Sequence, residues 1–188
     1  FPGVVLRYTC PAIDIDGITV HAAAGVVLQH LTDLTVARGL RGLETMTGIP
    51  GWVGGAIYGN AGAYGHSIHE RVKSVRYFDG TGIHELGNSA CQFRYRESVF
   101  KLRKDWIVLS VTLDLDAADA AELSATATGI LNIRNEKYPP TMRCAGSIFK
   151  NLMLNDLPAA VRAELPERAV REGKVPSAYF LELAGAKG

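Results

Sequence analysis

Seven of the chain's 20 glycines fall in residues 48–65, in the run Gly48-Ile49-Pro50-Gly51-Trp52-Val53-Gly54-Gly55-Ala56-Ile57-Tyr58-Gly59-Asn60-Ala61-Gly62-Ala63-Tyr64-Gly65. An ordinary turn needs one glycine or two. Here small residues recur between large apolar ones, so the backbone is expected to lie against something flat or anionic. Glycine permits positive φ and close backbone approach, and neighbouring N–H groups can converge on an anion. A phosphate-bearing ligand is the natural candidate, and a pair of tight turns packed on a helix is the bland alternative.

The rest of the chain can supply a core around that run. Its 188 residues fit one substantial domain, or one domain and part of another, with 47% hydrophobic and 21% charged residues. A net charge of +1 gives no electrostatic case for nucleic acid or a membrane surface. Apolar runs such as Ile107-Val108-Leu109 are far too short to span a bilayer. The three cysteines, Cys10, Cys91 and Cys144, are widely and irregularly spaced. That spacing suits neither a disulfide framework nor a zinc site and agrees with a reducing compartment. His66 and His69 lack an evident third ligand, so no metal is expected.

Periodicity predicts mixed strands and helices, an α+β chain. Val4–Leu6 and Ile18–His21 read as short strands around a polar turn at Asp14–Gly17. Val27, Leu28, Leu31, Leu34 and Ala37 recur at helical spacing, with Gly39 as a stop. Val72–Phe78 and Ile83–Leu86 flank Asp79-Gly80-Thr81-Gly82, a strong hairpin turn. Trp106–Leu115 alternates, which puts Ile107, Leu109, Val111, Leu113 and Leu115 on one face. Asp119 with Glu122 three residues on marks a helix start, and Leu123, Ala127, Ile130 and Leu131 continue the stripe to about Lys137. Tyr138-Pro139-Pro140 ends it. The expected boundary divides residues 1–139 from 140–188. Beyond it, Leu157–Lys174 reads as helical or irregular and Tyr179–Ala184 resumes an apolar pattern.

Two further clusters could carry chemistry. In Cys91–Lys101, strand alternation would set Tyr95 opposite Arg94 and Arg96, whose planar forks suit carboxylate or phosphate. A solvated hairpin with snorkelling arginines explains the same residues. In Ala145–Asn151, Ser147 sits beside Gly146 without the elbow of a serine nucleophile, leaving a proton donor or a turn-capping serine. The glycine run matches neither a dinucleotide fingerprint nor a phosphate loop; Gly59, Gly62 and Gly65 are spaced by three, and no strand leads in.

Taken in order, the clusters are specific. Gly48-Ile49-Pro50-Gly51 with Val53-Gly54-Gly55-Ala56, then Asn60-Ala61-Gly62-Ala63-Tyr64-Gly65, Tyr95-Arg96 with Ser98, Phe100 and Lys101, Gly146-Ser147 with Phe149-Lys150-Asn151, and Ala184-Gly185 with Lys187-Gly188 closely resemble the UDP-N-acetylenolpyruvoylglucosamine reductase (MurB) family along the whole chain. The resemblance implies a cytoplasmic FAD enzyme of peptidoglycan synthesis. Its reaction is the NADPH-driven reduction of UDP-N-acetylglucosamine enolpyruvate to UDP-N-acetylmuramate. The implied fold is an FAD-binding α+β region of the vanillyl-alcohol-oxidase type, followed by the start of an α+β substrate-binding domain.

Residue by residue, the resemblance gives Arg96 and Ser147 catalytic roles, as carboxylate grip and proton donor. Tyr95, Lys150 and Asn151 become substrate contacts. Gly48, Ile49, Pro50, Gly51, Gly54, Gly55, Asn60, Ala61, Gly62, Ala63 and Tyr64 become the cofactor wall. The family's Gly-Gly-Gly-Ser-Asn loop would precede Phe1, and its catalytic glutamate would lie beyond Gly188. Residues 1–188 alone are therefore expected to bind FAD weakly and turn over poorly. The rival from another class is a non-catalytic α+β module that binds a nucleotide or a partner. Nothing in the sequence sets an oligomeric state.

Overall fold

The computed structural model describes residues 2–139, 141 and 149–186, and its contacts divide the chain into two compact units, Phe1–Pro140 and Thr141–Gly188.

The first unit runs β1 (Ile13–Asp16), β2 (Thr19–Ala23), α1 (Leu28–Ala37), β3 (Leu40–Arg41), α2 (Val53–Tyr58), β4 (Gly62–Ala63), β5 (His66–Ser67), β6 (Val72–Phe78), β7 (Ile83–Gly87), α3 (Val99–Leu102), β8 (Ile107–Asp114), β9 (Asp116–Ala117) and α4 (Ala120–Lys137). Its main sheet is antiparallel with the order β1-β2-β8-β6-β7, so β8 inserts between two earlier hairpins. Val20 of β2 stands opposite Leu113 of β8, and Val75 of β6 opposite Val111; all four are buried. On that face pack Leu28, Leu31, Met46, Ile57 and Phe100, each essentially inaccessible to solvent. Burying each such side chain stabilises by about 1.5–3 kcal/mol before entropy is counted.

The hairpin β6–β7 has the predicted turn. Asp79 Oδ1 accepts from Thr81 N at 2.8 Å, Thr81 Oγ1 at 2.7 Å and Gly82 N at 2.9 Å, and Gly80 sits at φ +96°. The α4 start is also as predicted, with Asp119 accepting from Glu122 N at 2.9 Å.

Four expectations change. Val4–Leu6 is exposed and outside any strand. The partner of Thr19–Ala23 is instead Ile13–Asp16, whose alternation lays Ile13 and Ile15 on the core across a two-residue turn at Gly17 (φ +58°). In α1 the buried stripe is Leu28, Leu31, Thr32, Thr35 and Val36, while Ala37 faces water. The two threonines can be buried because their hydroxyls return to Leu28 O and Thr32 O, each at 3.0 Å.

In β8 the single face breaks. Val111, Leu113 and Leu115 are buried, Ile107 is exposed, and Trp106 and Val108 pack on the core. The register shifts between Arg76 and Tyr77, where Tyr77 pairs with Val108 and Arg76 with Ser110, leaving Leu109 as the extra residue. One inserted residue flips every side chain before it to the other face. Lastly, Leu131 at the end of the α4 stripe is exposed.

In the second unit β10 (Leu152–Met153) pairs antiparallel with β11 (Lys174–Val175), with α5 (Ala159–Glu164) between them and α6 (Ser177–Leu183) after. Val175 and Ala169 are its buried apolar side chains among the described residues.

Candidate functional site

The glycine run folds into more than turns, because it contains α2. Gly51 at φ +119° turns the chain into the helix. Three bonds then pin its start to the β2–α1 connection: Leu28 N to Gly51 O at 3.0 Å, Val53 N to Val26 O at 2.9 Å and Gly54 N to Ala24 O at 2.9 Å. After α2, Asn60 and Tyr64 take left-handed φ values of +44° and +53°, and β4 folds back on β5. The result is one wall of a cleft of about 480 Å³, lined by Ile49, Pro50, Gly51, Gly55, Ala61, Gly62 and Ala63, with Arg96 at one side and Arg134 at another.

Each glycine has its own reason. A Cβ built on Gly54 would lie 2.9 Å from Ala24 Cβ, and one on Gly62 2.8 Å from His66 O. Those two glycines let backbone pack on backbone. A Cβ on Gly55 meets nothing within 4 Å, because Gly55 opens onto the cleft. The wall carries no side chain at Gly51, Gly55, Gly59 and Gly62, and Trp52 lines the cleft beside them.

Arg96 is delivered to the cleft by a tight turn. Arg94 N donates to Glu97 O at 3.1 Å and Glu97 N to Arg94 O at 3.0 Å, with Arg96 in the left-handed region at φ +55°. The strand alternation expected for Arg94–Arg96 therefore does not occur: a turn has no two-residue period. Residues 98–106 hold the turn from its C-terminal side. Phe100 of α3 is fully buried, in a cluster with Tyr77 (centroids 5.7 Å apart) and Trp106 (6.3 Å), and Tyr77 stacks on Trp106 at 4.3 Å. Ser98, also buried, donates to Tyr58 O at 2.7 Å, and Lys101 Nζ donates to Arg96 O at 2.9 Å. The Arg96 fork donates Nη1 to Asn60 O at 3.3 Å and Nη2 to Gly62 O at 2.8 Å. Two of the five guanidinium donors thus fix its plane against the glycine wall.

Sequence reasoning missed two contributors. Arg134 of α4 lines the cleft and donates Nη2 to Gly48 O at 2.9 Å. A Cβ on Gly48 would sit 2.7 Å from Arg134 Nε. Gln29 of α1 accepts from Gly48 N at 2.6 Å. The signal for Arg134 was its position eleven residues after Leu123 and four after Ile130, an arginine on the core-facing stripe of α4.

The other expected site residues are spread over both units. Gly48 and Gly54 support the wall from behind. Asn60 is buried at 3% exposure, and its carboxamide is engaged by protein groups: Nδ2 donates to Arg94 O at 2.8 Å and Oδ1 accepts from His69 N at 3.3 Å. Tyr64 is half-exposed at the β4–β5 tip, and Tyr95 lies with its ring 5.6 Å from the Arg96 guanidinium carbon. Lys150 and Asn151 belong to the second unit, where Ser177 Oγ donates to Lys150 O. Ser147 lies outside the described residues. His66 and His69 serve the β5 corner. His66 Nδ1 is 2.9 Å from Glu70 Oε2, and Ser67 Oγ is 2.9 Å from His69 Nδ1. Burial works to raise the Glu70 carboxyl, but its bonds to the His66 ring and the Ser67 amide outweigh it and hold the group below its ordinary value. Among the described residues no group of three or more His, Cys, Asp or Glu side chains could hold a metal ion, and no helix is long and apolar enough to cross a membrane.

Known proteins resemble this chain. Residues 1–87 match the model of an FAD binding domain. The chain is 55% identical over 188 residues to the UDP-N-acetylenolpyruvoylglucosamine reductase of Solibacter usitatus, covering 100% of this chain and 60% of that protein. It is 36% identical over 148 residues to the protein of that name from Lactococcus lactis subsp. cremoris, covering 78% of this chain and 49% of that one. The crystal structure of UDP-N-acetylenolpyruvylglucosamine reductase (MurB) from Thermus caldophilus aligns with a TM-score of 0.67 at 27% identity, over 89% of this chain and 54% of that one. The chain therefore spans between about half and 60% of the length of these relatives.

Proposed function

The chain belongs to the UDP-N-acetylenolpyruvoylglucosamine reductase (MurB) family, and from that premise we propose that it is the FAD-carrying part of an oxidoreductase that reduces UDP-N-acetylglucosamine enolpyruvate to UDP-N-acetylmuramate with NADPH. The observation that carries the reading is the junction at the cleft: the glycine wall and the Arg96 fork meet there, with Nη2 on Gly62 O at 2.8 Å. The fit to FAD rests on Gly55, where a Cβ would enter otherwise empty space on the cleft side, and on Gly51, Gly59 and Gly62, which line the same cleft without side chains beside the Trp52 ring. Gly51, Gly55, Ala61, Gly62 and Ala63 would hold the group, with Ile49 and Pro50 at the rim. Bound there, FAD supplies hydride-transfer chemistry that no side chain offers.

The chain's own residues then handle charge and proton. When the terminal carbon of the enolpyruvyl group is reduced, negative charge gathers on the adjacent carbon and its carboxylate. Arg96, its guanidinium preorganised by the two bonds to the glycine wall, stabilises that charge without reorganising. Ser147 gives its hydroxyl proton to that carbon. A serine is a weak acid, so this role requires a strongly basic carbanion and neighbours that stabilise the alkoxide. Tyr95, Lys150 and Asn151 orient the substrate, and residues 140–188 form the start of its binding domain. Peptidoglycan synthesis in the cytoplasm is the setting that goes with this reaction.

The test is spectroscopic. The intact polypeptide carrying this chain should purify yellow with flavin absorbance, and NADPH should bleach it. The Ser147→Ala variant should still be bleached by NADPH but fail to pass reducing equivalents to the enolpyruvyl substrate. Reduction of that substrate at the wild-type rate in Ser147→Ala would remove the assigned proton donor, and a colourless protein that takes up no FAD would remove the reading.

A further inference from the structure

Asn60 stands in the glycine run, where a cofactor contact is expected, yet its side chain is turned away from that task. It is 3% exposed, and both ends of its carboxamide meet protein. Nδ2 donates to Arg94 O at 2.8 Å, at the first residue of the Arg96 turn, and Oδ1 accepts from His69 N at 3.3 Å. Its backbone oxygen accepts from Arg96 Nη1 at 3.3 Å. One residue therefore grips the turn at its beginning and receives the guanidinium that the turn presents.

We propose that Asn60 is a positioning residue for Arg96, acting through the turn Arg94–Glu97 and not by touching the cofactor. The inference rests on the role of Arg96 proposed above. The turn needs such a grip. Arg96 sits at φ +55°, a conformation that costs a non-glycine residue and persists only where surrounding contacts over-determine it. Lys101 Nζ on Arg96 O and Ser98 Oγ on Tyr58 O brace the far side of the turn; on the near side the Nδ2 bond of Asn60 ties Arg94 to the glycine wall. Asparagine also suits its own φ of +44°, since a short polar side chain tolerates the left-handed region.

Asn60→Asp keeps the size and the acceptor for His69 N but replaces the donor facing Arg94 O with a charged oxygen, which also competes for the Arg96 guanidinium. Asn60→Gly keeps the left-handed backbone and removes both bonds without adding charge. In the intact flavin-loaded protein, both variants should slow reoxidation of the reduced flavin by UDP-N-acetylglucosamine enolpyruvate on the order of a hundredfold, the scale of an ångström-sized misplacement of a catalytic group. Flavin content, the visible spectrum and bleaching by NADPH should stay at wild-type values. In an Arg96→Ala background, Asn60→Gly should add no further slowing, because the two act as a unit. Loss of flavin or a shifted spectrum in Asn60→Gly would make Asn60 a cofactor contact and overturn the proposal. So would additive slowing, or wild-type reoxidation in both variants. If Arg96→Ala itself reoxidises at the wild-type rate, the proposed role of Arg96 fails; if Arg96→Ala is slow while both Asn60 variants are fast, only the positioning role of Asn60 fails.

Discussion

Replacing Gly54 and Gly55 by alanine, one at a time, adds the same methyl group at neighbouring positions of one short helix, with opposite consequences. On Gly54 the methyl would lie 2.9 Å from Ala24 Cβ and 3.2 Å from Ala24 O. Carbons normally pack about 3.5–4.0 Å apart, so the overlap is about 0.6–1.1 Å. Ala24 cannot yield easily: it is buried, its N donates to Leu109 O at 2.8 Å, and its O receives Gly54 N at 2.9 Å. Overpacking of this kind costs about 1–3 kcal/mol, offset by less than about 1 kcal/mol from the better helix propensity of alanine.

On Gly55 the methyl meets nothing within 4 Å, so folding gains about 0.4–1 kcal/mol through the unfolded chain. That methyl, however, stands in the cleft wall and should weaken FAD binding about tenfold, equivalent to about 1.4 kcal/mol. Calorimetric melting of flavin-free protein reads the first effect, at about 2–4 °C per kcal/mol for a chain of this size. Flavin-fluorescence titration reads the second. A Gly54→Ala protein that melts at or above wild type would refute the tight contact with Ala24. A Gly55→Ala protein that melts below wild type and binds FAD with undiminished affinity would refute the open cleft wall.

Other consequences are simpler to check. Hydrogen bonds from the Thr81 hydroxyl, then from the Thr81 and Gly82 amides, hold the Asp79 carboxyl well below its ordinary value. Its contribution to the β6–β7 hairpin is therefore complete above the ordinary carboxylate range, near pH 4, and is lost as pH falls through the lower folded value. Melting temperature against pH should fall more steeply in wild type than in Asp79→Asn over the acid limb. Burial pushes the Cys91 thiol up to about 11, so mass spectrometry after iodoacetamide treatment at neutral pH should find its peptide unmodified until the protein unfolds. Phe100→Ala should destabilise by about 3–5 kcal/mol in chemical denaturation, because the ring is fully buried and meets both Tyr77 and Trp106.

Much of the fold was legible where local chemistry decides it. Asp79-Gly80-Thr81-Gly82 sets its own turn through one carboxylate, and Asp119 caps its own helix; neither needs a distant partner. What escaped was set across the chain. The bulge beside Leu109 arises from pairing with β6, which alternation within β8 cannot report. Thr32 and Thr35 could enter the core because helical carbonyls satisfy them, a solution that hydrophobic spacing does not count. The candidate site divides the same way. The glycine wall and Arg96 stood out by residue type and order. The tie from Asn60 to Arg94 spans 34 residues and that from Arg134 to Gly48 spans 86, so only the folded chain reveals them.

In the mechanism proposed for this cleft, the Arg96 fork, fixed against the glycine wall, stabilises charge on the substrate and not on the flavin. Anaerobic stopped-flow reoxidation of the NADPH-reduced intact protein by UDP-N-acetylglucosamine enolpyruvate tests it most directly, in wild type and in Arg96→Ala. Arg96→Ala should be reduced by NADPH as fast as wild type and reoxidised slower by about two to three orders of magnitude, the loss typical for removing one preorganised electrostatic partner. Equal reoxidation rates in the two proteins, or a loss confined to the NADPH step, would contradict it.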